Sequence, residues 1–139
     1  MFFKKKKNNN EDNSHLIKIA ALLIHAAKID EKYSKEEEEI IKKTLLELEA
    51  EESQLNNLIS QAKRDEANAN QILEFTKEIK NLEETDKIKI IKSLWKIIYS
   101  NKQADMYETN LMRRLSGLLY IDSKIMGDIK EQIKNEDSL

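Results

Sequence analysis

No proline occurs anywhere in this 139-residue chain and only two glycines do, so nothing in it forces a helix to break or supplies the tight turns that join short strands. Its apolar residues recur at steps of three and four rather than two, the spacing of one helix face. Together these features confine the fold to the all-α class. The length suits one domain with a core large enough to be stable without staples.

Read along the chain, Leu16, Ile19, Ala20, Leu23 and Ala27 share one face of a first helix that runs from about His15 to Ile29. Ser34 and Glu37 stand as a capping box for a second helix with Ile40, Ile41, Leu45 and Leu48 inward. After a break at Glu49 to Glu52, Leu55, Leu58, Ile59 and Ala62 mark a third, and Ala69, Ile72, Phe75, Thr76 and Ile79 a fourth. Thr85 and Asp86 are expected to cap a fifth, with Ile88, Ile91, Leu94, Trp95 and Ile98 inward. A sixth opens at Asp105 with Glu108 in the second capping-box position and carries Leu111, Met112, Leu115 and Leu119; a seventh starts near Asp122 with Ile125, Met126, Ile129 and Ile133.

A shift of 71 residues lays Ser34 and Glu37 on Asp105 and Glu108, and the core faces of three helices fall into register with them. The expected architecture is a compact bundle of about seven helices, built from two pseudo-repeated three-helix units joined by the fourth helix and sharing one core. Residues 1–13 are expected to form a disordered basic and polar tail, 14–135 the helical domain, and 136–139 a frayed end.

Several function classes are disfavoured by composition. The absence of cysteine removes disulfides and thiolate metal sites and agrees with a cytoplasmic location. A formal charge of −2, with both signs interspersed, lacks the basic excess of a nucleic-acid binder. The apolar run Ile19 to Ala27 is far too short to span a bilayer. Phe2, Phe3 and Lys4 to Lys7 suit at most a weak peripheral contact with an anionic membrane, against the plainer reading of a solubilising tail. His15 and His25 lack the spacing of zinc ligands, and no nucleophile with its base can be singled out. Trp95 reads as core.

The run IIKSLWKIIYSNKQADMYETNLMRRLSGLLYIDSKIM, which begins at Ile90, resembles the tellurite-resistance protein B (TerB)-like family, and AALLIHAAKIDEKYSKEEEEIIKKTLLE looks like its other half. That family also includes the N-terminal domain of the DnaJ-like co-chaperone DjlA. The resemblance covers roughly Leu16 to Lys134 and rests on the Asp30 to Glu37 spacing, the Trp95 helix, the Tyr107-Glu108 pair and the run from Leu111 to Leu115. It implies a compact helical bundle with an acidic loop in each half, a possible divalent-metal or partner-binding surface in stress responses, and no enzymatic reaction. This chain departs from the family's Asp-Gly loops: Glu31 follows Asp30, and Asn101-Lys102 stands where the second Asp-Gly is expected.

Two functions stay open on these residues. The leading one is a non-catalytic interaction or scaffold module that meets a protein partner through Asp30, Glu31, Glu36, Glu37 and Glu38. The alternative is a divalent-cation sensor in which Asp30, Glu37, Asn101, Asp105 and Glu108 supply the hard oxygen ligands that calcium or magnesium requires. The same residues also have a purely structural reading as helix caps and turn formers. An enzyme of unknown reaction is a remote third possibility.

Overall fold

A computed structural model describes residues 9–29, 34–100 and 106–137, and at 9–12, 106–108 and 137 it describes the backbone alone. Among the described residues there are seven α-helices and no strand: α1 (Asn9–Ala27), α2 (Lys35–Glu47), α3 (Leu55–Asn68), α4 (Leu73–Ile79), α5 (Glu84–Tyr99), α6 (Met106–Leu118) and α7 (Ser123–Asp137). A 3₁₀ turn, Glu52–Gln54, leads into α3.

Helix α1 is the axis of the bundle, packed against α2, α3, α4 and α5. It is therefore buried on more than the single face its periodicity suggests: Ala21, Leu22, Ile24 and Ala26 are as inaccessible as Leu23 and Ala27. Four neighbours cover most of its circumference through that stretch, where His25 stays partly exposed, and the alanines let those neighbours approach closely. Helix α5 is the second hub, touching α1, α2 and α7. Besides the expected Ile91, Leu94, Trp95 and Ile98 it buries Ile90, Ile97 and Ser93, whereas Ile88 is only half-buried.

Three boundaries differ from expectation. Helix α1 starts at Asn9, so its first turn occupies residues assigned to the tail, and Asn13 Nδ2 reaches Gln54 Oε1 at 3.5 Å. Helix α4 starts at Leu73, not Ala69. Helix α5 takes Glu83 as its N-cap, with no side-chain capping bond, which places Thr85 and Asp86 inside the helix. The connection from α4 is only a short turn, closed by Leu82 N–H to Ile79 O at 3.0 Å, and α5 begins directly after it. Residues 1–8, 138 and 139 lie outside the described residues, as does any role of theirs in a tail or frayed end.

Two helix ends carry non-glycine residues in the left-handed region, Glu49 (φ 76°) after α2 and Tyr120 (φ 58°) after α6. In the first, Ala50 N–H donates to Leu45 O at 2.9 Å; in the second, Ile121 N–H donates to Ser116 O at 2.9 Å. Both are Schellman-type closures, where glycine is the usual occupant and an L residue costs roughly 1 kcal/mol. They lie 71 residues apart, the offset at which the two halves of the sequence are expected to superpose. The second is reinforced from α5, since the buried Lys87 donates from Nζ to Leu119 O at 2.9 Å. A cation there also meets the negative end of the α6 dipole.

Trp95 is buried, as expected, stacked on Tyr99 with ring centroids 5.9 Å apart and covered by Lys130, whose Nζ lies 5.5 Å from the ring. Its indole N–H has no hydrogen-bond partner among the described residues. Trp95→Phe therefore loses some apolar area but also removes an unsatisfied buried donor, and the two effects oppose each other. The expected net change in unfolding free energy is under about 1 kcal/mol by urea titration; a loss above about 2 kcal/mol would mean that lost packing outweighs the relief of the unpaired donor.

Candidate functional site

The start of α2 is the one acidic candidate surface that falls largely within the described residues. Ser34 sits in extended backbone (φ −84°, ψ 165°) as N-cap, and its Oγ accepts from Glu37 N–H at 3.1 Å. Glu37 Oε1 in return accepts from Ser34 N–H at 2.8 Å and from Ser34 Oγ–H at 3.2 Å. This is the expected capping box, and it settles where Glu37 points: the side chain is buried, with one carboxylate oxygen held against the cap.

The acids beside it have different surroundings. Glu38 lies against Lys42 of the same helix at 3.5 Å and Lys63 of α3 at 3.3 Å. Glu36 and Glu39 are exposed. Three glutamates in the first turn complement the positive end of the helix dipole. The structure thus keeps Glu36, Glu37 and Glu38 on one rigid turn but separates their roles: Glu37 holds the cap, Glu38 ties α2 to α3, and Glu36 faces solvent.

The remaining candidates are only partly described. Asp30, Glu31, Asn101 and Asp105 lie outside the described residues, and Glu108 lies in α6 with its side chain outside them. Among the described residues no group of three His, Asp or Glu side chains is placed to hold a metal ion.

A second polar cluster escaped the sequence reading. Glu66 of α3, nearly buried, has Oε2 3.2 Å from His25 Nδ1 and accepts from Lys28 Nζ at 2.7 Å through Oε1. Next to it Lys18 Nζ lies 3.2 Å from Asp65 Oδ2. With Asn13 facing Gln54 in the turn before α3, these contacts line the side of α1 that meets α3. No spacing within α1 or α3 reveals this seam, because it depends on which two helices meet. His15 pairs with Glu78 of α4 at 3.3 Å in the same manner, so both histidines join helices together.

The fold and these contacts define an all-helical bundle whose described ionisable groups are engaged in caps, interhelix pairs or solvent. The chain belongs to the TerB family: the model of that family, described as tellurite resistance protein TerB, matches residues 16–131. Neither the curated proteins nor the solved structures give a match. No described helix is long and apolar enough to cross a membrane.

Proposed function

We propose that this TerB-family chain is a non-catalytic interaction or scaffold module in a stress-associated process, and that it meets its protein partner through the acidic stretch from Asp30 to Glu38. The observation that carries this reading is the locked first turn of α2. A capping box fixes its backbone and the Glu38 pairs hold it to α3, so Glu36 is presented from a rigid support. A preorganised charge loses little entropy on binding, and its sign selects a basic partner.

The test is the combined variant Asp30→Lys, Glu31→Lys and Glu36→Lys, which leaves the Ser34–Glu37 cap untouched. A tagged chain used to capture partners from stressed source cells is expected to recover its main partner at least tenfold less well as the variant, with thermal unfolding unchanged within a few degrees. Equal recovery by variant and parent would remove the acidic stretch as the working surface.

A further inference from the structure

We draw no further inference here: the strongest candidate, the outer face of α4 where the exposed Leu73 and the exposed ring of Tyr120 stand at either end of Lys77 and Lys80, has those lysines balanced by Glu74 and Glu78 of the same helix, and nothing in the structure shows what covers it.

Discussion

Leu22→Ala is expected to lower the unfolding free energy by about 3 kcal/mol, seen as a fall of roughly 10 °C in Tm for a domain of this size. Leu22 is fully buried on α1, and α1 is enclosed by α2, α3, α4 and α5. Removing its three outer carbons forfeits their transfer free energy and leaves a cavity that four packed helices cannot collapse to fill. Leu46→Ala is the matched control, since Leu46 is 42% exposed and the same deletion there is expected to change stability by under about 1 kcal/mol. Calorimetry and urea titration of both variants measure the contrast. Equal small effects would mean that the side of α1 bearing Leu22 is open to solvent, contrary to the packing described.

Glu37→Ala is expected to destabilise the chain by about 1–2 kcal/mol. The variant removes the carboxylate that accepts from Ser34 N–H and Oγ–H, which frees the first turn of α2 to fray. Glu37→Gln retains an amide oxygen able to accept from Ser34 N–H and is expected to cost less than half as much. The ordering Ala worse than Gln worse than parent, followed by urea titration at neutral pH, separates a capping role from a charge on an open surface. If Glu37→Lys and Glu37→Ala left stability equally untouched, the capping box would contribute nothing.

The same residue shows how a site reading can divide. From spacing alone Glu37 is at once a cap, a hard oxygen ligand and part of an acidic docking surface, because a carboxylate at the start of a helix suits each role. Burial separates these roles, since a carboxylate closed against Ser34 is a structural group first. Glu36, next to it and chemically identical, is exposed. One step of 100° around the helix, measured against a core that the local sequence does not contain, decides between them.

Other features divide along the same line. The helices, the capping box at Ser34, the burial of Trp95 and the all-α class follow from local pattern, since periodicity, cap chemistry and the lack of proline act within a few residues. The burial of Lys87 is contrary to its residue type and follows from the position of the α6 terminus, whose Leu119 carbonyl it satisfies. Glu49 and Tyr120 at positive φ carry no glycine to announce them, because the closing bonds to Leu45 and Ser116 make up for the missing preference. The seam of Lys18, His25 and Lys28 against Asp65 and Glu66 exists only once α1 and α3 lie side by side.

By itself the sequence determined which segments are helical, where the second helix is capped, and that the product is a helical bundle, since those outcomes depend on interactions between residues no more than about four apart. The tertiary structure alone decided that α1 is the enclosed axis, that Glu37 is closed off while Glu36 is open, and that Lys80 and Lys87 converge on the exposed ring of Tyr120. The reason is that burial and convergence depend on which helix faces meet, and a helix with apolar residues on several sides fits more than one neighbour until all the others are in place.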